Sequence, residues 1–179
     1  KKDVVVFEPQ AIPERPPVPH AHHPVRLGVD SAGSSRYRGQ IGRATMFRGM
    51  LEADMIKKLA AGDRSEKLTG ENVVNCLLNP KVGDMLPTKD DDFAGAVSFE
   101  AWISPAKGDA GRIFDKLTAG KRDGFLIDCW PDQSLRVIVG PRQDDFPDVL
   151  EADVWQHIVV VIGKGQLEVY LNGKKLQKR

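Results

Sequence analysis

Trp130-Pro131-Asp132 is the stretch best suited to hold a ligand. It follows directly on Phe125–Cys129, whose Phe, Ile and Cys alternate with Leu and Asp as in a strand. Trp130 therefore emerges at a strand boundary, where the core need not swallow it. Sugar rings offer apolar faces to aromatic planes and hydroxyls to carboxylates and guanidinium groups. Trp130 with Asp128, Asp132 and Arg136 is thus a candidate sugar-binding set. Arg36-Tyr37-Arg38 is a second candidate loop, because an aromatic plane beside Arg36 could face an anionic sugar or phosphate. A solvated turn rim explains the same residues.

The acidic residues raise two further chemistries. Asp90, Asp91 and Asp92, with Asp84 nearby, form the densest acidic cluster. Calcium needs six to eight oxygens, and consecutive aspartates cannot all converge on one ion without strain. A calcium site would combine Asp90 or Asp92 with the distant Asp30; the alternative is a solvated turn. No cofactor is required by the sequence. Glycosidic cleavage needs two facing carboxylates roughly 5 to 9.5 Å apart. Glu100 beside Trp102 could be one, and Asp115 or Asp128 the other. There is no nucleophile elbow around Ser98 or Ser104 and no glycine-rich phosphate motif. His157 alternates with Trp155 and Val159 and reads as a structural histidine. His20, His22 and His23 in PHAHHP have zinc- or nickel-ligand chemistry, but they read as a proline-flanked, solvent-facing loop and not as a metal site.

The chain that must position these groups has 179 residues, enough for one sizeable core. Its 41% hydrophobic and 28% charged residues fit a globular domain, and its formal net charge of +1 gives no basic field for nucleic acid. No apolar run is long enough to span a bilayer, and no signal segment is visible at the start. Cys76 and Cys129 have no zinc spacing; Cys129 reads as a buried free thiol or as the partner of Cys76 in a disulfide.

From Ala94 to Gly173 the sequence gives six short apolar or alternating segments, each ended by Gly, Pro, Asn or Asp. Val97, Phe99, Ala101 and Ile103 share one face and Ser98, Glu100, Trp102 and Ser104 the other, the period of a strand. Asn172-Gly173 is a hairpin signal because both residues tolerate positive φ. Strands at this spacing without intervening helices predict an all-β, two-sheet antiparallel sandwich. One short helix is expected at Ala53–Ala61, with Leu51, Met55, Ile56 and Leu59 as its apolar stripe, Gly62 as a left-handed cap, and the sandwich edge as its packing site. Val4–Phe7, Val25–Val29 and Gln40–Phe47 are further strand candidates, and the prolines of Ala11–Pro24 predict an irregular loop.

GAVSFEAWISP, WQHIVVVIGKGQLEVYLNGKK and RYRGQIGRATMFRGMLEADMIKKLAAG together resemble three parts of the laminin-G-like, concanavalin A-like jelly roll of the lectin/glucanase superfamily. Their order is permuted: the segment resembling Arg38–Gly62 follows the Leu167–Leu171 strand in the family pattern and precedes it here. Residues 1–179 are accordingly expected to form a single jelly roll, as in a circular permutation; a fragment of tandem repeats is the other reading. An acidic pair commonly follows the family's G-x-I element, where this chain has Gly42-Arg43, so any calcium ligand or salt bridge carried by that pair is absent. The acidic catalytic strand of the glucanases is also unmatched. The resemblance implies a noncatalytic carbohydrate-binding domain, accessory to an extracellular, periplasmic or cell-surface polysaccharide-processing protein, whose parent could be a glycoside hydrolase. Its partners would be a glycan or a neighbouring catalytic domain. The competing reading is a structural or protein-interaction spacer.

Overall fold

The computed structural model describes residue 19, residues 21–163 and residues 165–178. The expected strand at Val4–Phe7, most of the proline-rich loop and His20 lie outside the described residues.

Among the described residues twelve strands form two six-stranded antiparallel sheets, confirming the sandwich. The first sheet contains β1 (Val25–Leu27), β4 (Met85–Leu86), β6 (Gly111–Asp115), β7 (Phe125–Cys129), β8 (Leu135–Val139) and β9 (Arg142–Phe146), in the order β4-β1-β6-β7-β8-β9. The second contains β2 (Gly39–Arg48), β3 (Val73–Leu78), β5 (Val97–Pro105), β10 (Gln156–Gly163), β11 (Gln166–Leu171) and β12 (Lys174–Lys175), in the order β12-β11-β10-β5-β2-β3. The single α-helix among the described residues, α1, spans Ala53–Ala61 as expected.

The alternation read along β5 is the alternation of the core. Val97, Phe99, Ala101 and Ile103 join Val25, Leu27, Phe114, Phe125, Ile127, Val137, Ile158 and Val160 in one cluster between the sheets. Phe99 packs its ring against Phe114 and Phe125, with centroids 5.3 and 4.6 Å apart. Burying such side chains contributes about 1.5–3 kcal/mol each.

The strand Gln40–Phe47 does lie in the same sheet as Leu167–Leu171. Within β2 it pairs with β5 on one side and β3 on the other, so β10 and β5 separate it from the hairpin.

Helix α1 corrects two expectations. It lies on the outward face of the second sheet, not across the sandwich edge: Ile56 packs with Val159, Val161 and Tyr170, the outward residues of β10 and β11. Gly62 is extended (φ −81°, ψ 176°) and its N–H reaches Leu59 O at 3.3 Å, so no left-handed cap forms. The Asn172-Gly173 turn has the two positive φ values expected of it (49° and 76°) and packs against this helix; a Cβ on Gly173 would lie 3.3 Å from Ala60 Cβ.

The outward face of β5 is covered as well. Ser98 accepts from Leu51 N–H and donates to Gly49 O. Residues 62–68 then close over Glu100. Arg43, 1% exposed, sends Nε and Nη2 to Glu100, and its Nη1 donates to Asp63 O at 2.7 Å and Glu66 O at 3.0 Å. Charge is thus reversed where the resemblance expected an acidic pair, and a salt bridge is made there after all.

Candidate functional site

The first sheet presents a polar outward face. Along β6, β7 and β8 the residues that point away from the core are Arg112 and Asp115, Leu126 and Asp128, and Arg136 and Ile138, with Arg26 outward on β1. Their charges alternate in space. Arg136 donates to both oxygens of Asp128, at 3.0 and 2.7 Å, and Arg112 Nη1 reaches the same carboxylate at 2.7 Å. Arg112 Nε and Arg26 Nη1 flank Asp115 at 3.5 and 3.8 Å. Burial pushes the Asp115 carboxyl up to about 6, against the opposing pull of Arg112 and Arg26. Burial likewise raises Asp128, although both guanidinium groups oppose it.

Trp130 ends this row. It is 44% exposed, and the Arg136 guanidinium carbon lies 4.2 Å from the centroid of its ring. A cation over an aromatic face is attracted by the ring quadrupole. Because Asp128 fixes the guanidinium from the other side, the indole is braced on one face and partly open to solvent. Three of the four residues of the first candidate set, Trp130, Asp128 and Arg136, are therefore in direct contact. Asp132 stands beside them in the next turn, exposed and at φ 51°, where its backbone N–H donates to Asp109 Oδ1 at 2.5 Å.

The second candidate loop reaches the same end of the sheet through its backbone. Arg112 N–H donates to Ser35 O at 3.1 Å, and Arg38 donates from Nε to Asp109 O at 3.0 Å. Gly111, at φ 91°, allows this approach: a Cβ there would lie 2.6 Å from Arg36 O. Arg36 is exposed, but Tyr37 is not the open aromatic plane its position in a turn implied. Its ring is 5% exposed within the core, and burial raises its hydroxyl strongly. Arg112 and Asp109 were missed by sequence reasoning; an arginine one residue after a turn glycine carries no local sign of its partner sixteen residues away.

The carboxylates considered for calcium are separately engaged. Asp30 accepts from the N–H groups of Ala32 and Ser34 at 2.9 and 2.8 Å and from Ser35 Oγ at 3.0 Å. Burial works to raise its carboxyl, but these donors hold it below its ordinary value. Asp92 is buried in a 3-10 turn, Asp90–Phe93, paired with Arg48 and accepting from Lys89 N–H at 2.7 Å. It is thus not part of a solvated turn. Asp90 is exposed, 3.9 Å from His22 Nδ1. Among the described residues no group of three His, Cys, Asp or Glu side chains is placed to hold a metal ion. As arranged, Asp30, Asp90 and Asp92 do not supply the shared oxygen cage that calcium takes. His23 Nε2 lies 3.2 Å from Thr118 Oγ1, so His22 and His23 face different partners.

The carboxylate pairing considered for catalysis does not form. Glu100 is fully buried beneath residues 62–68, held by Arg43 and by His157 Nε2 at 3.1 Å. Asp115 and Asp128 point outward from the other sheet, so the core separates them from Glu100. His157 is fully buried with its ring 5.2 Å from Trp102, in the structural role its alternation implied. Trp155 is covered by Arg64, 4.5 Å from its ring, and Gly42 lets both approach the strand. Cys76 and Cys129 are free and buried, and burial raises the Cys129 thiol strongly.

A two-sheet antiparallel sandwich of this kind is the architecture of a jelly roll. A family model described as the concanavalin A-like lectin/glucanases superfamily matches residues 82–179. The chain belongs to this superfamily. No curated protein and no solved structure matches it. The family match begins after β3, whereas the sheet containing its β5 and β10 also includes β2 and β3 from the preceding part of the chain. No helix among the described residues is long and apolar enough to cross a membrane.

Proposed function

We propose that this domain binds a glycan without changing it, through Trp130 and Arg136, the latter held in place by the buried Asp128, with Asp132 and Arg36 at the rim. The observation that carries the reading is the braced, half-open indole of Trp130. Stacking a sugar on a ring already held by a pinned guanidinium forfeits little side-chain freedom. The burial of Glu100 against Arg43 and His157 supports a noncatalytic role, since it takes the one strand-centre carboxylate beside a tryptophan out of reach of any substrate. Membership of the superfamily is consistent with a glycan or a neighbouring catalytic domain as partner, and we infer an accessory module of a polysaccharide-processing protein outside the cell. We further propose that residues 1–179 act as one folding unit, because β2 and β3 complete the sheet that β5 would otherwise leave open.

The test is a screen of the domain against neutral plant and algal glycans and acidic polysaccharides, followed by titration of Trp130→Ala on each hit. Loss of an exposed stacking aromatic should weaken binding by about 1 kcal/mol or more while leaving the fold intact. Binding unchanged by Trp130→Ala would move the site elsewhere. Absence of binding across the screen would favour the spacer reading, with Trp130 covered by a neighbouring domain, and release of product from any glycan would overturn the noncatalytic reading.

A further inference from the structure

Arg112 stands between two carboxylates and hydrogen-bonds only one of them. Its Nη1 donates to Asp128 Oδ2 at 2.7 Å, while its Nε lies 3.5 Å from Asp115 Oδ2 without a hydrogen bond. Arg26 Nη1 is likewise 3.8 Å from Asp115 Oδ1. Arg26 Nη1, Arg112 Nε and Asp115 Oδ2 are all buried, and among the described residues none has a hydrogen-bond partner. The charged row thus has a tight half and a slack half. Asp128 receives bonds of 2.7, 3.0 and 2.7 Å from two guanidinium groups, whereas Asp115, 1% exposed, accepts from Leu117 N–H at 3.2 Å and from no guanidinium.

This division suits an uncharged Asp115. A protonated carboxyl does not draw the two guanidinium groups in, and burial keeps the proton on it up to about pH 6. Arg112 and Arg136 meanwhile share one acceptor atom, Asp128 Oδ2, at 2.7 Å each. Two like charges crowd a single carboxylate where solvent screens them poorly.

Ionising Asp115 shifts the balance. The Arg112 contact need close only by about 0.6 Å to become a charge-assisted hydrogen bond. Arg112 is then drawn toward Asp115, its repulsion of Arg136 is offset, and Asp128 is left to Arg136. That two-bond pair is what holds the guanidinium 4.2 Å from the Trp130 centroid. The charged groups around Asp115 are Arg112 on its own strand, Arg26 on β1, Asp30 in the turn after β1, Lys121 and Arg122 on the β6–β7 loop, and Arg136 on β8. On β7 its partner is the apolar Leu126, and Asp128 lies two residues further along that strand. Of these groups Arg112 alone touches both carboxylates of the row.

We propose that Arg112 couples the charge of Asp115 to the hold on Trp130, so that ionising Asp115 firms the indole and tightens ligand capture. The inference rests on the glycan reading of Trp130 and adds a regulation by pH to it: the surface holds its ligand better once Asp115 has lost its proton.

The experiment is an NMR titration of the whole chain from about pH 4.5 to about 7.5, a range that brackets the Asp115 midpoint of about 6. It follows the Asp115 carboxyl carbon, the Nε–H groups of Arg112 and Arg136, and the Trp130 indole N–H. These signals should step together. Binding of two neutral probes, cellohexaose and laminarihexaose, which carry no titrating group, should tighten roughly threefold or more across the step. Asp115→Asn fixes the uncharged state, and should abolish both the step at Trp130 and the gain in affinity. Arg112→Lys replaces the guanidinium fork by a compact charge that cannot span the two carboxylates. In that variant Asp115 should still titrate while Trp130 no longer follows, and this decides the matter if Asp115→Asn fails to fold. Thermal melts at both ends of the range check each variant. A Trp130 step that survives Asp115→Asn would belong to Asp128 or a histidine and would overturn the coupling. A Trp130 signal flat across the range, or equal affinity at both ends, would overturn it too. A coupled step without binding of either probe would sustain the coupling and count against the glycan reading alone.

Discussion

Asp128 fixes Arg136, and Arg136 lies over Trp130: the carboxylate takes two hydrogen bonds, at 3.0 and 2.7 Å, from the guanidinium that sits 4.2 Å from the indole centroid. The exposed ring is thus tied, through one side chain, to a carboxylate 2% exposed at the centre of the sheet. Replacing Arg136 by Ala should release the indole while Arg112 still satisfies Asp128. The expected result is faster local motion in time-resolved tryptophan anisotropy, weaker glycan binding, and a stability loss of about 1–2 kcal/mol in urea denaturation. Unchanged anisotropy would show that the ring is held by something other than the cation.

Glu100→Leu should cost far more. It leaves the Arg43 guanidinium, 1% exposed, without its counter-charge, and breaking one side of such a buried pair costs about 3–5 kcal/mol. Arg43→Met combined with Glu100→Leu should recover a large part of that loss, because both charges are then removed together. Urea denaturation of the two single variants and the double gives the coupling directly. An additive double variant would mean that Arg43 is sustained by Asp63 O and Glu66 O alone.

Asp115 provides a pH signature. Its carboxyl is raised to about 6, so the folded state holds the proton more tightly than the unfolded chain does. The associated stability is fully present below the ordinary aspartate value near 4 and is lost as pH rises from there to about 6. The thermal midpoint of Asp115→Asn should therefore fall less steeply across that window than the parent's. Carboxyl carbon NMR should place the Asp115 midpoint near 6; a midpoint at or below 4 would show that Arg112 and Arg26 outweigh burial.

Residues 82–179 expressed alone should not form the stable sandwich, although the family match spans them. Without β2 the edge of β5 loses nine residue pairings, from Gly39–Pro105 to Arg48–Val97, and Glu100 loses Arg43. An unpaired strand edge of this length also invites association between chains. Circular dichroism and amide NMR dispersion check this; a dispersed, monomeric spectrum would refute it.

What the sequence discloses is what depends on neighbours in the chain. The alternation of Val97 to Ile103, the stripe of α1 and the Asn172-Gly173 turn are local patterns, and each predicts the correct element. The cover over Glu100 is not local: its alternation reads as half-exposed strand, and only folding brings residues 62–68 across it. Strand β9 escaped notice because RQDDF has no apolar alternation. It is an edge strand in which Asp144 is 2% exposed, with Arg142 and Lys178 paired to it. Trp130 was legible because a tryptophan just past a strand end is placed by chain geometry. Its cationic brace was half legible, since Arg136 was in the set but its stacking on the ring was not foreseen, and Arg112 depends on register across a bulge between β6 and β7.

The two outward faces of the sandwich have opposite fates, one roofed by α1 and residues 62–68, the other carrying, among the described residues, its row of charged pairs and the exposed Trp130. This gives the molecule a handle and a business side. Lys57 and Lys58 are exposed on α1, which packs on the sheet opposite the one whose outward face carries Trp130. A fluorophore, a sensor surface or a fused enzyme attached at α1 would hold the domain with its open face outward, so that capture of polymer from solution and attachment to a support need not compete.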